Sequence, residues 1–119
     1  MKCGRYILRG HVAVEEPDVI AWADWLERAE RHVGITRLDR ILVSTVFLGL
    51  DHNFNRQGHA PILYETMIFD DRPDPCAPLP GRLDEYCERY STWPEAEVGH
   101  DRPVELVRAW LASNAGAAP

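Results

Sequence analysis

The chain is short of cysteine, of positive charge and of long apolar runs. Its three cysteines, Cys3, Cys76 and Cys87, cannot all pair within the chain, and none forms a CxxC. Neither a disulfide scaffold nor a zinc knuckle is expected, and the reducing cytoplasm is the natural compartment. Lys and Arg number 13 against 19 Asp and Glu, for a net charge of -6. Binding a phosphate backbone needs a basic face that displaces counterions, so nucleic acid is not the expected partner. An acidic mimic of nucleic acid is compatible with that sign, but acidity at this level mostly reflects ordinary solubility. No window approaches the roughly 18 apolar residues of a membrane span, and no membrane association is expected. The opening MKCGRYILRG lacks the apolar core of a signal peptide. Gly4, Gly10, Gly34 and Gly49 stand alone, so no glycine loop cradles phosphate. There is no GxSxG elbow, no HExxH and no Cys beside a His.

What the chain has is concentrated between Ile41 and Phe69. The run ILVSTVFLGLDH and the run PILYETMIF flank a ten-residue polar insert, Asp51 to Ala60. Both runs are rich in β-branched and aromatic residues and too short for helices, which predicts a pair of strands. A tight hairpin needs two to five linking residues, and longer loops are often functional. Both runs are apolar on both parities, whereas a sheet with one wet face alternates more cleanly. One face is expected to take the helices and the other a second copy of the chain, making a homodimer.

The rest of the chain supplies those helices. Arg5 to Val14 reads as a first strand with a bulge at Gly10. Glu15 to Asp18 opens a helix whose stripe is Val19, Trp22, Leu26, Ala29 and Val33, with Gly34 as its C-cap. Ile35 to Leu38 reads as a short strand. Asp70 to Gly81 carries four prolines and reads as an irregular connector. Arg82 to Tyr90 is expected to contain a short helix with Leu83, Tyr86, Cys87 and Tyr90 inward. Thr92-Trp93-Pro94-Glu95 forms a capping box for a last helix with the stripe Ala96, His100, Val104, Val107 and Leu111. Gly99 and Pro103 predict a kink or break near His100 to Arg102. The four tryptophans read as helix-face core.

Four residues are candidates for a polar ligand-binding pocket: Asp51, His52, Glu65 and His100. Asp51-His52 follows a strand end, where an Asp can orient a His ring or simply cap the loop by accepting backbone amides. Glu65 interrupts an apolar strand and shares parity with Leu63, Met67 and Phe69, so it is either paired or facing solvent. His100 stands on an apolar stripe where Leu would be ordinary, and its two nitrogens need partners. The four are expected to converge at one end of the sheet. His52, His59, Glu65 and His100 also have the donor chemistry of a Zn²⁺ or Mn²⁺ site, without a diagnostic spacing. No metal ligand is assigned, and the sequence identifies no cofactor and no catalytic residue.

Three stretches resemble one family. VSTVFLGLDHNF at Val43 to Phe54, YETMIF at Tyr64 to Phe69 and YSTWPEAEVGH at Tyr90 to His100 are similar to motifs of small uncharacterised proteins of bacteriophages, prophages and bacteria. The opening YILRGHVAVEEPDVIAWADWLERAERHV looks like that family's start. Pro103 departs from the family's smooth last helix, and the proline-rich stretch is longer than usual. The resemblance implies a cytoplasmic accessory protein of mobile elements, with modulation of host metabolism or defence (an anti-defence role) as the setting.

The expected fold is α+β: an antiparallel sheet of three or four strands with two main helices packed on one face, in the order β-α-β-β-β-α. Residues 1–112 are expected to form one domain and 113–119 a flexible tail. The expected function is non-enzymatic: binding a host protein or sequestering a small-molecule ligand. The alternatives are a small metal-dependent enzyme using Asp51, His52, Glu65 and His100, and a purely structural assembly subunit.

Overall fold

The computed structural model describes residues 3–53 and 60–117. It is an α+β protein built on a four-stranded antiparallel sheet, with a separate two-stranded hairpin. Strands β1 (Tyr6–Arg9) and β2 (Val12–Glu15) form the hairpin, followed by helix α1 (Val19–Arg28). Strands β3 (His32–Leu38), β4 (Ile41–Phe47), β5 (Tyr64–Asp70) and β6 (Cys87–Tyr90) form the sheet, in that spatial order. A single helical turn, α2 (Gly81–Asp84), precedes β6, and the long helix α3 (Trp93–Ala117) closes the fold. Among the described residues, no helix is long and apolar enough to cross a membrane.

The central hairpin is the one the sequence predicts. Strands β4 and β5 pair over their full length, from Ile41 opposite Asp70 to Phe47 opposite Tyr64. Ile41, Val43, Thr45 and Phe47 point to one side and are fully buried. Tyr64, Thr66 and Ile68 share that side in register. Helix α3 lies across it, touching all four strands. It buries Ala96, His100, Val104 and Val107, spaced as the apolar stripe requires.

Several local readings are corrected. The Arg5 to Val14 segment is a hairpin, because Gly10 takes a left-handed φ of 61° and turns the chain back. Helix α1 ends at Arg28 with Ala29 as its cap, so Gly34 lies inside β3. Asp18 starts that helix, accepting the amides of Ile20 and Ala21 at 3.0 and 3.2 Å. The short helix expected between Arg82 and Tyr90 is the turn Gly81–Asp84, and Tyr86, Cys87 and Tyr90 are not part of it, since Cys87 to Tyr90 form strand β6 at the edge of the sheet beside β5. The break expected near Pro103 does not occur: α3 is one helix with Pro103 inside it. Packing of its stripe on the sheet outweighs the backbone bond that proline removes.

Helix α1 joins the hairpin rather than lying beside α3 on the main sheet. The junction is Gly49, at φ 77°, where an added Cβ would approach Leu26 to 2.6 Å. Its carbonyl accepts both the Tyr6 amide at 2.8 Å and the Trp22 indole N–H at 2.9 Å. One residue without a side chain thus ties β1, α1 and the end of β4 together.

The proline-rich connector after β5 is pinned by Arg40. That guanidinium donates to the Ala77 carbonyl, lies 3.3 Å from the Asp70 carboxylate and sits over the Trp110 ring at 5.8 Å.

Candidate functional site

The four candidate residues do not share a pocket. His100 is buried under α3, on the helix-facing side of the sheet. Glu65 is on the opposite side, because side chains alternate along a strand and its neighbours Tyr64 and Thr66 face the helix. There it pairs with Arg89 of β6 at 2.9 Å. It also accepts from the Cys87 thiol at 3.6 Å, and burial together with that carboxylate pushes the thiol's pKa up. Asp51 lies past the end of β4, where its Oδ1 accepts the amides of Asn53 and Ile62 at 2.8 and 2.9 Å. That is the capping arrangement: the carboxylate holds both ends of the insert. His52 Nδ1 lies 2.7 Å from the Leu50 carbonyl. His59 falls outside the described residues. Among the described residues, no group of three or more His, Cys, Asp or Glu side chains could hold a metal ion.

His100 is instead the centre of a polar chain that crosses the sheet. Its Nε2 lies 2.8 Å from Thr36 Oγ1 on β3, and its Nδ1 lies 2.7 Å from Thr45 Oγ1 on β4. Thr45 in turn contacts Thr66 Oγ1 on β5 at 2.5 Å. Both ring nitrogens are therefore satisfied inside the protein, as burial demands. Burial also lowers the pKa of the imidazole, and Asp101 acts weakly the other way. The chain separates two apolar clusters. Ile41, Val43, Ile68, Leu83, Val104 and Val107 lie on one side, and Tyr6, Phe47, Leu63, Tyr64 and Ala96 on the other. The signal for it was in the sequence. Ser44 and Thr45 are the polar members of the first run, and Thr66 follows Glu65 in the second. Thr45 and Thr66 are paired in register.

Two further features come from the tertiary structure. The first is the sheet face away from α3. Register places Arg37, Leu42 and Phe69 in one row across it, and Ile35, Ser44, Met67 and Cys87 in the next. Ile35 is 53% exposed and Phe69 44%. Ion pairs flank these apolar residues: Arg37 with Asp71, and Arg89 with Glu65.

The second is a cavity of about 420 Å³ between the β1–β2 hairpin, Pro61 and the start of α3. Tyr6, Leu63, Tyr64 and Trp93 are among its walls. The Trp93 ring meets Tyr64 edge-on at 6.3 Å. The His11 ring lies flat on Trp93, with centroids 3.7 Å apart and planes 6° apart. Burial pushes the Tyr64 phenol up to about 12 and raises Tyr6 as well, with Glu15 and Asp51 adding to the latter. Both phenols therefore stay protonated at neutral pH. The Tyr6 hydroxyl has no hydrogen-bond partner among the described residues. Neither periodicity nor motif pointed to this cavity, because its walls come from four separate segments.

Compared with protein-family models, with curated proteins and with solved structures, the chain finds no match.

Proposed function

We propose that the chain is a non-enzymatic accessory protein of the phage and prophage kind, cytoplasmic, that acts by binding and works as a homodimer joined through the open faces of two sheets. The observation that carries this reading is the apolar strip of Ile35, Leu42, Met67 and Phe69 flanked by ion pairs. Isolated exposed apolar residues are ordinary, but a contiguous strip on a stiff sheet favours association. A two-fold interface must be complementary to itself. The flanks favour such pairing, because each carries one cation and one anion. Two copies of a chain with net charge -6 can then meet there without stacking like charges.

A binding role is also favoured by how the chemically capable side chains are used. His100 is committed to two threonines, Asp51 to two backbone amides and Glu65 to Arg89. The metal-dependent alternative would have to draw its ligands from both faces of the sheet.

Substituting Phe69→Asp or Ile35→Asp tests the reading. Each places a carboxylate at the centre of the strip and should convert a dimer to a monomer, with the circular dichroism spectrum unchanged because both positions are already exposed in one copy. A dimer that survives both substitutions rules out this face as the interface.

A further inference from the structure

The edge of the main sheet at β3 carries an inference that rests on the reading of the chain as a binding protein but not on the dimer. β3 is the last strand on its side, with seven residues against four in β6 at the other edge. The elements packed against it are β4 and α3. Alternate amides and carbonyls of an edge strand point away from the sheet and form a template for another strand. Glu30 accepts the His32 amide at 2.8 Å, but from Val33 to Leu38 no side chain or loop bonds that outward row among the described residues. Edges are commonly blunted by Lys, Pro or a bulge. β3 has a bulge only at its start, between His32 and Gly34, and holds neither Lys nor Pro.

What can pair there is set by the two sides of β3. Gly34 and Thr36 face α3 at the ring of His100, and Ile35, 53% exposed, faces the other way. On the α3 side an open cleft of about 330 Å³ runs between helix and edge, lined by Val33, Gly34, Glu97, Val98, His100 and Asp101. Its charges are the carboxylates of Glu97 and Asp101, both exposed and neither ion-paired among the described residues. His100 is neutral at pH 7, because burial lowers its pKa. The basic groups nearest along the chain are occupied: His32 by Glu30, Arg37 by Asp71 and Arg31 by the Phe47 carbonyl. Arg102 lines a different cleft, with Tyr86 and Tyr90 on the β6 side of the helix. α3 runs along the strands, from Ala96 beside Phe47 and Tyr64 to Val107 beside Ile41. Glu97 and Asp101 are therefore about 6 Å apart along the edge. Alternate residues of an extended strand are roughly 6.6 Å apart, a close match.

We propose that β3 receives an extended segment of a partner protein as a fifth strand, with basic residues two positions apart facing Glu97 and Asp101 and an apolar residue between them beside Ile35. Main-chain bonds to the edge supply affinity, and the alternation of side chains supplies selection. A second copy of β3 does not meet these terms. Two such edges related by a two-fold axis keep α3 on the same side in both copies. Each cleft would then receive Gly34, Thr36 and Leu38, which bring no cation, and the carboxylates of both copies would gather on one side.

Calorimetric titration of the full chain at low ionic strength with acetyl-Thr-Lys-Val-Lys-Val-Lys-Thr-amide tests this. Two controls accompany it: the same peptide with Glu for each Lys, and acetyl-Thr-Lys-Lys-Val-Val-Lys-Thr-amide, in which no two lysines are two positions apart. The alternating lysine peptide should bind with a Kd below about 100 μM, and both controls at least about tenfold more weakly. It should slow hydrogen exchange of amides between Val33 and Leu38 and leave Cys87 to Tyr90 unchanged. Glu97→Lys and Asp101→Lys together, both at exposed positions, should turn the preference toward the glutamate peptide. No binding of the alternating lysine peptide at about 1 mM overturns the proposal. So does equal binding of the rearranged peptide, or protection at β6 instead of β3. A folded double variant that still prefers lysine also overturns it, and if that variant does not fold, exchange in the wild type decides. The solution mass, which tests the dimer, is measured without peptide, so either claim can fail alone.

Discussion

Gly34 lies against the ring of His100: a Cβ built on Gly34 would stand 3.1 Å from both Cδ2 and Nε2 of the imidazole. The ring cannot easily retreat, because its two nitrogens are held by Thr36 and Thr45 on neighbouring strands. Gly34→Ala is therefore expected to destabilise the fold by about 1–3 kcal/mol, the usual cost of overpacking. Urea denaturation measures it. Unchanged stability would mean that the helix shifts freely over the sheet.

His100→Leu is expected to cost about 1–3 kcal/mol, because it removes the partner of the half-buried Thr36 hydroxyl and one of the two partners of the buried Thr45 hydroxyl. From sequence alone, with His100 as an isolated core residue, the same change is predicted to be neutral or stabilising. The threonines reverse that sign. Adding both Thr45→Val and Thr66→Val to His100→Leu should recover part of the loss, since Val replaces the two buried hydroxyls that bond each other at nearly the same volume. A triple variant no more stable than His100→Leu would argue against the polar chain.

The same ring sets a pH dependence. Burial holds the folded-state pKa of His100 below its ordinary value of 6.5. As the pH falls below about 6.5, the unfolded chain takes up a proton that the folded chain refuses, so this group's contribution to stability declines. The decline ends once the pH is below the folded pKa, and above the ordinary value the group contributes no slope. The stability difference between wild type and His100→Leu should therefore shrink as the pH drops from 7.5 toward 5, values that bracket the ordinary pKa at about one unit or more. Carboxylate effects cancel in that difference. A difference that stays flat or grows on acidification would contradict a neutral buried ring.

Arg40→Ala is expected to destabilise by about 3 kcal/mol, as when one partner of a largely buried ion pair is removed. Its side chain and that of Asp70 are 14% and 11% exposed. The loss should be accompanied by faster proteolysis between Asp70 and Pro80, because Arg40 also holds the Ala77 carbonyl. Cleavage at an unchanged rate would show that the connector is held by other contacts.

The central hairpin and the α3 stripe were legible because each rests on a strong local period. Ile41 to Phe47 and Tyr64 to Asp70 are dense in strand formers, and Ala96, His100, Val104 and Val107 recur at helical spacing. The expected shared pocket does not form, and the sequence could not show this, because parity separates Glu65 from Thr66 without saying which of them meets the helix. Long-range packing decides that, and it put the threonines with His100 and Glu65 on the far side. Strand β6 escaped for a related reason: a short charged segment, Cys87 to Tyr90, becomes an edge strand only through the neighbour it pairs with. The stack of His11 on Trp93 joins residues more than 80 positions apart and leaves no local trace.

The most direct test of the binding reading is the mass of the unmodified protein in solution. Sedimentation equilibrium at about 10 μM, where a stable interface persists, should give twice the chain mass of 13.6 kDa. A mass of 13.6 kDa at that concentration would contradict the pairing of two sheets through the face that bears Ile35 and Phe69.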